Sequence, residues 1–577
     1  MTNQIRRSVA AIFLFSLTFA LLPSFSRVNA AWPEPVRGKQ GMVASQHELA
    51  SQIGVDIMKK GGNAVDAAIA VGLALAVVYP EAGNIGGGGF MVFRDKKGEF
   101  HAIDYREMAP GAATRDMYLD KAGNLIEGEG SSTVGYRASG VPGTLAGFEL
   151  AFKKHGSGKV TWRQLVEPAR LLAQNGYVLS HRLAELFISY KDTLERYPES
   201  KRIFLRDGNY FKEGDTLKQP ELAATLDRVA RLGAREFYHG QTAKLIAADM
   251  KANGGLITEQ DLKNYVAKER QPLRGSYRGH EIVSMPPPSS GGMVMFETLN
   301  ILEGYDMRAL GSNSAAKYHL YIEASRRAFA DRSEFMADPD FADVPVEQLI
   351  EKSYAKRRAS TILPSKATPS REVRFGDVSG REPMETTHYT IVDKDGSVVS
   401  NTYTINDLYG SRVTIKGTGI LMNDEMDDLA ARPGKPNLFG LIQGERNKVE
   451  PKKRPLSSMT PTIVMRKDGR TWFALGARGG PRIISAVMQS IINVIDYDMN
   501  ILEAISAPRM HHQWMPDSII SEQNGISADT LAIMKGYGHI FNETSGSVAS
   551  ATGIMIDDKG IRLGAIDPRS DGKAIGY

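Results

Sequence analysis

The boundary between Glu385 and Thr386 carries the first residues whose types and spacing could perform chemistry. A threonine hydroxyl alone is a poor nucleophile, but a chain cut before Thr386 would place a free α-amine beside that hydroxyl. The pKa of an α-amine, about 7.7–8.0, suits a general base near neutral pH. One residue would then supply both the nucleophile and the base. The alternative is an ordinary strand start, because threonine is favoured in strands.

Composition excludes several other chemistries. None of the 577 residues is cysteine, so thiolate catalysis, disulfides, iron–sulfur clusters and Cys-ligated zinc are ruled out. The 71 Lys and Arg residues nearly balance the 66 Asp and Glu residues, and this small excess does not favour a nucleic-acid partner. An apolar share of 42% and a charged share of 24% are typical of a globular protein.

Two further motifs invite a ligand interpretation but do not support one. Gly86–Gly89 lacks the following Lys-Ser or Lys-Thr of a phosphate loop, and a predicted strand rather than a helix comes next. These glycines are therefore predicted to allow close backbone packing. The 11 histidines include no His-Glu-x-x-His motif, and the adjacent pair His511–His512 is predicted to be structural. The sequence thus predicts no metal site and no cofactor.

The region after about residue 366 must position the candidate threonine. Residues 366–385 are rich in Pro, Ser, Arg, Glu and Gly, which predicts an exposed linker. Thr386–Val392 and Val398–Ile405 flank an Asp-Lys-Asp-Gly turn, and this pattern predicts a hairpin. Farther on, the apolar spacing over 483–495 predicts a buried helix.

The first half of the chain predicts helices with a few strands. Helical patterns cover His47–Lys60 and Ala64–Tyr79, and Phe90–Arg94 is typical of a strand. From about 140 to 370 the pattern is mostly helical, with polar helix surfaces. Strands and helices thus lie at both ends of the chain, around a helical middle. This arrangement indicates sheet layers covered by helices, with distant segments contributing to each layer.

Residues 1–30 have the features of a secretory signal peptide. Two arginines precede an apolar stretch from Val9 to Leu22, and Val28-Asn29-Ala30 provides a small-x-small cleavage site. We predict cleavage after Ala30 and a periplasmic or secreted protein. The alternative is an uncleaved anchor, but a span needs about 20 apolar residues, more than this stretch supplies. No stable membrane span is therefore predicted.

Six motifs along the chain together carry a resemblance to one protein family. They are Gly61–Ala68, Gly83–Met91, Tyr105–Pro110, Thr386–Tyr389, Asn423–Asp428 and Arg454–Met459. Over about residues 36–577 the sequence resembles the γ-glutamyltranspeptidases (glutathione hydrolases) of the N-terminal-nucleophile hydrolase superfamily. The resemblance implies an α/β (α+β) fold, a four-layer αββα sandwich. It also implies a precursor that cleaves itself between Glu385 and Thr386 into a large subunit (31–385) and a small catalytic subunit (386–577), which stay together as a heterodimer.

The resemblance also implies roles for ten residues. Thr386 would be the nucleophile, Thr404 would orient it, and the backbone N–H groups of Gly479 and Gly480 would form the oxyanion hole. The residues that would hold the substrate α-carboxylate are Arg106, Ser457 and Ser458. Those that would receive its α-ammonium group are Asn406, Glu425 and Asp428. The implied partners are glutathione and other γ-glutamyl compounds as donors, with water, amino acids or dipeptides as acceptors.

The sequence departs from the family pattern in three places. Ala477-Arg478 stands where Ser-Pro is common before the glycine pair, and Pro481 stands where bacterial relatives often have Ser. Pro481 removes one backbone donor, and Arg478 is expected to alter the oxyanion loop or to reach the donor's carboxylate. Phe439 replaces the lid tyrosine of well-known bacterial members, which keeps the apolar shield and removes a hydroxyl.

Two alternative functions stay open at this point. A glutaryl (cephalosporin) acylase of the same superfamily would bind a carboxylate that has no neighbouring ammonium group, so it would not need Asn406, Glu425 and Asp428. An unprocessed, inactive exported binding protein would keep the fold without the cleavage. The changes at 477, 478 and 481 are the features that favour this second alternative.

Overall fold

Two seven-stranded antiparallel sheets form the centre of the computed structural model, which describes residues 34–373, 386–543 and 546–577. The described residues from Pro35 onward form one compact unit. The predicted signal peptide (1–30) lies outside the described residues, and so do Glu385 and the rest of the linker from 374.

Each sheet combines strands from both sides of residues 374–385. In chain order the strands are β1 (Val36–Gly38), β2 (Met42–Ser45), β3 (Gly88–Arg94), β4 (Phe100–Asp104), β5 (Tyr177–Val178), β6 (Thr216–Leu217), β7 (Lys268–Arg270), β8 (Leu273–Tyr277), β9 (His280–Ser284), β10 (Thr387–Val392), β11 (Val398–Thr404), β12 (Thr414–Ile415), β13 (Ile420–Leu421), β14 (Thr462–Met465), β15 (Thr471–Arg478), β16 (Met510–His511), β17 (Ile520–Ser521), β18 (Ser550–Ile556), β19 (Arg562–Ile566) and β20 (Lys573–Gly576). The first sheet has the order β20-β2-β10-β11-β3-β4-β7, and the second has β1-β19-β18-β15-β14-β9-β8. Neither predicted subunit therefore contains a complete seven-stranded sheet.

Helices cover the outer face of each sheet. Their bounds are Glu48–Lys59, Ala64–Val78, Thr144–His155, Trp162–Asn175, His181–Ser189, Lys191–Leu194, Pro198–Phe204, Pro220–Leu232, Arg235–His239, Gln241–Ala252, Glu259–Asn264, Gly291–Leu302, Met307–Leu310, Ala315–Phe335, Val346–Leu349, Lys352–Ala359, Arg482–Tyr497, Ile501–Ser506 and Ala528–Gly536. Helices between 48 and 232 share a core with the first sheet, whereas Gly291–Leu302, Ala315–Phe335 and Arg482–Tyr497 share one with the second. The layers confirm the αββα sandwich. In the part of the chain that the structure describes, no helix is long and apolar enough to cross a membrane.

β3 shows how the first sheet is buried on both faces. Met91 and Phe93 belong to the core shared with the first helical layer. Phe90 and Val92 belong to the core shared with the second sheet. Alternate side chains of a strand point to opposite faces, so a strand between two layers is apolar at successive positions, as Phe90–Phe93 is.

The elements predicted around the candidate threonine are confirmed. β10 and β11 form the antiparallel hairpin, with Thr387 opposite Tyr403 and Val392 opposite Val398. The helix predicted over 64–79 is present as Ala64–Val78. It begins after Asn63, whose side chain accepts a hydrogen bond from the Asp66 amide in a reciprocal capping box. The predicted helix over 483–495 is present as Arg482–Tyr497.

The expectation of a polar surface is wrong for the helix Ala315–Phe335. Its side chains are buried over most of its length. Charged residues can be buried there because they pair with one another: Glu323 accepts hydrogen bonds from Arg326 at 3.2 Å and from Arg327 at 2.8 Å. The helix therefore packs in the interior, although its charge-rich composition is typical of an exposed helix.

Candidate active site

One small cavity brings together nine of the ten residues to which the sequence assigned roles. It has a volume of about 270 Å³, and these nine residues are Arg106, Thr386, Thr404, Asn406, Glu425, Asp428, Ser457, Ser458 and Gly480. Gly479, the tenth, directly precedes Gly480. The other residues of the lining are Phe439, Met459, Pro481 and Ile483. The two sheets and their connecting loops thus converge on one site.

Thr386 lies at the entrance to the hairpin, beside Thr404. Because Thr387 is opposite Tyr403, the antiparallel register places Thr386 next to Thr404, the last residue of β11. Thr386 is 4% exposed. The Thr404 hydroxyl oxygen accepts a hydrogen bond from the Asn406 amide at 2.8 Å, which fixes the side chain that is predicted to orient Thr386.

The glycine run next to Thr404 has no room for side chains. A Cβ on Gly87 would lie 2.1 Å from the Thr404 carbonyl oxygen, and one on Gly86 would lie 2.2 Å from the Leu421 carbonyl oxygen. The Asn84 side chain donates to the Thr404 carbonyl at 2.8 Å and accepts from the Gly87 amide at 3.0 Å. The predicted close backbone packing is confirmed, and it supports the end of β11 at the site.

Gly479 and Gly480 form the turn between β15 and the helix Arg482–Tyr497. Both have positive φ, 131° and 54°, where a side chain would be strained. A Cβ on Gly480 would also lie 3.0 Å from a ring carbon of Phe439. The helix that starts two residues later directs the positive end of its dipole at this turn. The turn therefore suits a developing oxyanion.

Arg106 lies just beyond β4 and forms a buried ionic cluster with two acids. It donates hydrogen bonds to Glu425 and to Asp428, the latter at 2.5 Å. Glu425 and Asp428 are three residues apart in a short 3₁₀ helix, so their side chains lie on one face. Arg106 also donates to the carbonyl groups of Pro455 at 3.1 Å and Leu456 at 3.2 Å. Arg106 is therefore paired with two carboxylates and two backbone carbonyl groups.

The cluster contains more acidic than basic groups. Glu107 lies 3.6 Å from Arg106 and is buried. Burial raises the pKa of Glu107 to about 7 although Arg106 opposes the shift. Burial likewise raises the pKa of Glu425 and of Asp428. Burial alone would lower the pKa of Arg106, but Glu425, Asp428 and Glu107 outweigh it and raise that pKa.

Ser457 and Ser458 are supported by a buried arginine that the sequence did not reveal. The Ser290 amide and hydroxyl donate to the Ser457 carbonyl at 2.8 and 2.7 Å. Arg332 donates to the Ser290 hydroxyl at 2.8 Å and to the Ser458 hydroxyl at 3.4 Å. Burial lowers the pKa of Arg332 to about 10, so it remains a cation near neutral pH. Arg332 lies on the helix whose charged composition predicted a surface.

Phe439 covers the glycine turn and is held by a side chain that the sequence also did not reveal. Its carbonyl accepts a hydrogen bond from Gln513 at 3.0 Å. Gln513 accepts from His511 at 2.8 Å, and His511 lies 2.8 Å from the Ser485 hydroxyl on its other ring nitrogen. Burial lowers the pKa of His511 to about 3, so the ring is neutral. These buried hydrogen bonds agree with the predicted structural role of His511.

Arg478 lies at the end of β15, directly before the glycine turn. It is 6% exposed, and its guanidinium carbon lies 5.8 Å from the centre of the Tyr79 ring. Neither residue lines the cavity. The expectation that Arg478 alters the oxyanion loop or reaches the donor's carboxylate stays a prediction.

Comparisons with known proteins agree with this geometry. The gamma-glutamyltranspeptidase family model matches residues 50–577. The glutathione hydrolase proenzyme of Escherichia coli (strain K12) is 50% identical over 547 residues, or 94% of this chain and 93% of the relative. The crystal structure of cephalosporin acylase from Bacillus halodurans has a TM-score of 0.82 at 26% identity and covers 96% of this chain and 99% of its own. Helicobacter pylori γ-glutamyltranspeptidase has a TM-score of 0.56 at 47% identity and covers 60% of this chain and 96% of its own. The chain therefore belongs to the gamma-glutamyltranspeptidase family.

Proposed function

We propose that this protein is a γ-glutamyltransferase and glutathione hydrolase that acts through Thr386. The observation that carries the proposal is the cavity in which Thr386, the glycine turn and the Arg106 cluster meet. A relative with the name glutathione hydrolase, half identical over nearly the whole chain, supports the same reaction. The donors are glutathione and other γ-glutamyl compounds, and the acceptors are water, amino acids or dipeptides. The chemistry described below requires no cofactor.

The active form arises when the precursor cleaves itself between Glu385 and Thr386. The large subunit, 31–385, then has 355 of the 577 residues. The Helicobacter pylori chain matches over 96% of its own length while covering 60% of this chain, which agrees with a separate large subunit of that size. Both sheets combine strands from the two segments, so the subunits hold together as a heterodimer after cleavage.

The reaction begins when the Thr386 hydroxyl attacks the γ-carbonyl carbon of the donor and passes its proton to the Thr386 α-amine. The oxyanion accepts hydrogen bonds from the amides of Gly479 and Gly480, and each such donor contributes about 10²–10³ in rate. The Thr386 ammonium then protonates the leaving amine, which is cysteinylglycine when the donor is glutathione. A γ-glutamyl ester remains on Thr386. Water or an acceptor amine attacks this ester by the same steps.

The charged end of the donor binds in the Arg106 cluster. Its α-carboxylate pairs with the planar guanidinium of Arg106 and accepts hydrogen bonds from the hydroxyls of Ser457 and Ser458. Its α-ammonium group donates to Glu425 and Asp428, and to the side-chain oxygen of Asn406. The cluster contains more acidic than basic groups, and the ammonium group of the donor adds a cation to it.

Glutaryl acylase activity is the second candidate, because a cephalosporin acylase shares the fold over 96% of this chain. A glutaryl donor has the terminal carboxylate but no ammonium group, so it would leave Glu425 and Asp428 short of a cation. We expect the processed protein to turn over a γ-glutamyl anilide at least about 10-fold faster than the glutaryl anilide, since a charged hydrogen bond contributes about 1.5–3 kcal/mol. Faster turnover of the glutaryl anilide would contradict the first proposal.

Export follows from the predicted signal peptide. Cleavage after Ala30 delivers the protein to the periplasm or the exterior. The test is to express the full-length chain in a bacterial host and to determine the mass and amino terminus of the protein in each cell fraction. The expected amino terminus is Ala31, in the periplasmic or culture fraction. A chain that keeps residues 1–30 and stays in the cytoplasm would contradict this proposal.

A further inference from the structure

We propose that His101, His155 and Glu269 form a binding site for a divalent transition-metal ion of the zinc class. His101 lies on β4, His155 is the last residue of the helix Thr144–His155, and Glu269 lies on the edge strand β7. Neutral imidazole and carboxylate are the ligands that zinc takes in a sulfur-free site. The sequence did not predict this site, since the three residues are far apart along the chain.

The separations of the candidate ligand atoms fit one ion. Glu269 Oε1 lies 3.4 Å from His101 Nδ1 and 3.1 Å from His155 Nε2. One ligand atom from each of the three residues lies within 4.8 Å of the other two. Tetrahedral zinc with bonds of about 2.0–2.2 Å places its ligand atoms about 3.3–3.5 Å apart. Small movements of the side chains therefore bring the three atoms onto one ion.

The orientation of His101 is fixed by its neighbours. Its ring stacks on Phe93 with centroids 4.8 Å apart, and it lies 4.4 Å from the ring of His155. Its second nitrogen, Nε2, is buried, has no hydrogen-bond partner among the described residues, and lies 3.8 Å from an oxygen of Asp95. A metal on Nδ1 requires the proton to be on Nε2, where Asp95 can accept it. A carboxylate in this position is the usual outer partner of a metal-bound histidine.

A cavity opens beside His155, at one edge of the cluster. Asp95 and Lys154 also line it, whereas His101 and Glu269 do not. Lys154 Nζ lies 2.6 Å from Glu269 Oε2, so this ammonium group competes with a metal for the carboxylate. Lys154 is about half exposed, and its side chain can move into solvent when the ion binds.

The ion would join the end of a helix to the edge of the first sheet. Its three ligands belong to elements that all precede residue 374, so the site lies within the large subunit. Its chemistry does not depend on Thr386. The proposal therefore stands apart from the proposed reaction, and its test uses binding rather than turnover.

The test is titration calorimetry with Zn²⁺ alone, on processed, tag-free protein that has been dialysed against a chelator. We expect one ion per molecule. Loss of an outer partner costs about 10–100-fold in metal affinity, so Asp95→Asn is expected to fall in that range and His155→Gln to lose at least about 100-fold. His181→Gln, at a largely exposed histidine that faces Glu213, is the matched control and is expected to bind like wild type.

Lys154→Met is the second variant, and it changes only a half-exposed side chain. It removes the cation that competes for Glu269, so it is expected to bind Zn²⁺ more tightly than wild type. Wild-type protein that binds no Zn²⁺ at a single site would overturn the proposal. So would a wild-type affinity in folded His155→Gln or an unchanged affinity in Lys154→Met, because either result would place the ion elsewhere.

Discussion

Two of the regions that contain buried carboxylates differ in the partners that these carboxylates have. In the helix Ala315–Phe335, Glu323 accepts hydrogen bonds from Arg326, from Arg327, and from the Thr368 hydroxyl at 2.6 Å. Burial opposes its ionisation, but these groups outweigh burial and lower its pKa. In the Arg106 cluster, burial prevails and raises the pKa of Glu107 to about 7.

The difference distinguishes an acid that stabilises the fold from an acid that awaits a ligand. Glu323 has its counter-charges within the protein, so removal of Glu323 would take a carboxylate partner from buried Arg327 and from buried Arg326, which also pairs with Asp517. The acids around Arg106 outnumber the guanidinium groups near them, which are Arg106 itself and, beside Asp428, Arg332. Strongly perturbed acids of this kind concentrate at functional sites. The ammonium group of a γ-glutamyl donor would supply a further cation to these acids.

The largest effect on stability is expected from Glu323→Gln. The change leaves Arg326 and Arg327 buried without their shared carboxylate, and breaking a buried pair costs about 3–5 kcal/mol. Thermal unfolding of the processed protein should show a clearly lower midpoint. Glu347→Gln, at an exposed glutamate on a nearby short helix, is the control and should stay within about 0.5 kcal/mol. An unchanged midpoint in Glu323→Gln would remove the distinction between the two regions.

Asp428→Asn should lower activity more than stability, the reverse of what is expected for Glu323→Gln. It removes a partner of the donor's ammonium group, so kcat/KM for a γ-glutamyl anilide should fall about 10–100-fold, since such a bond contributes about 1.5–3 kcal/mol. The thermal midpoint should fall less than in Glu323→Gln, because burial already disfavours the charge of Asp428. The glutaryl anilide, which lacks the ammonium group, is the internal control and should lose little. Equal losses with both anilides would contradict the assigned role.

The pH dependence of KM should depend on the acids around Arg106, whereas the pH dependence of stability should include the contribution of Glu323. Burial raises the pKa of Glu425 and of Asp428, the two acids proposed to receive the donor's ammonium group, so falling pH moves both towards the neutral form. A neutral carboxyl cannot pair with an ammonium group, so KM for the donor should rise as pH falls. Glu323 has a lowered pKa, so its contribution to stability is complete above its ordinary pKa and is lost only as pH falls through the lower folded value.

Initial rates and thermal unfolding measured from about pH 5 to 8 test this separation, since ordinary carboxyl pKa values lie near 4. Glu107→Gln should move the rise in KM to lower pH, because Glu425 loses a repelling neighbour. A KM that is constant over this range would contradict the interpretation of the cavity acids. So would a thermal midpoint that already falls near pH 7 through Glu323.

The smallest effect is expected from Gln513→Ala. The change removes the hydrogen bond that holds the Phe439 carbonyl over the glycine turn. A neutral hydrogen bond contributes about 1 kcal/mol, so kcat/KM should fall about fivefold. Gln52→Ala, at an exposed glutamine whose side chain donates a hydrogen bond to Asp56 at 2.8 Å, should match wild type. A wild-type rate in Gln513→Ala would mean that packing alone holds the lid.

Local patterns predicted the hairpin that presents Thr386 and the helices Ala64–Val78 and Arg482–Tyr497. Their period, caps and turn residues lie within short stretches of sequence. Family motifs predicted the residues that line the cavity. Neither approach could find Gln513 or Arg332, because their importance arises from contacts with segments distant in sequence. For the same reason the sequence did not reveal the burial of Ala315–Phe335, since the charges of this helix pair only once the chain has folded.

The most direct test of the central claim is denaturing electrophoresis of the purified protein, with mass determination of each band. The account predicts two fragments in the wild type, beginning at about Ala31 and at Thr386. It predicts one uncut and inactive chain in Thr386→Ala. A wild-type protein that remains a single chain and still hydrolyses γ-glutamyl substrates would contradict a mechanism in which the Thr386 α-amine serves as the base. A single inactive chain would instead favour the unprocessed binding protein.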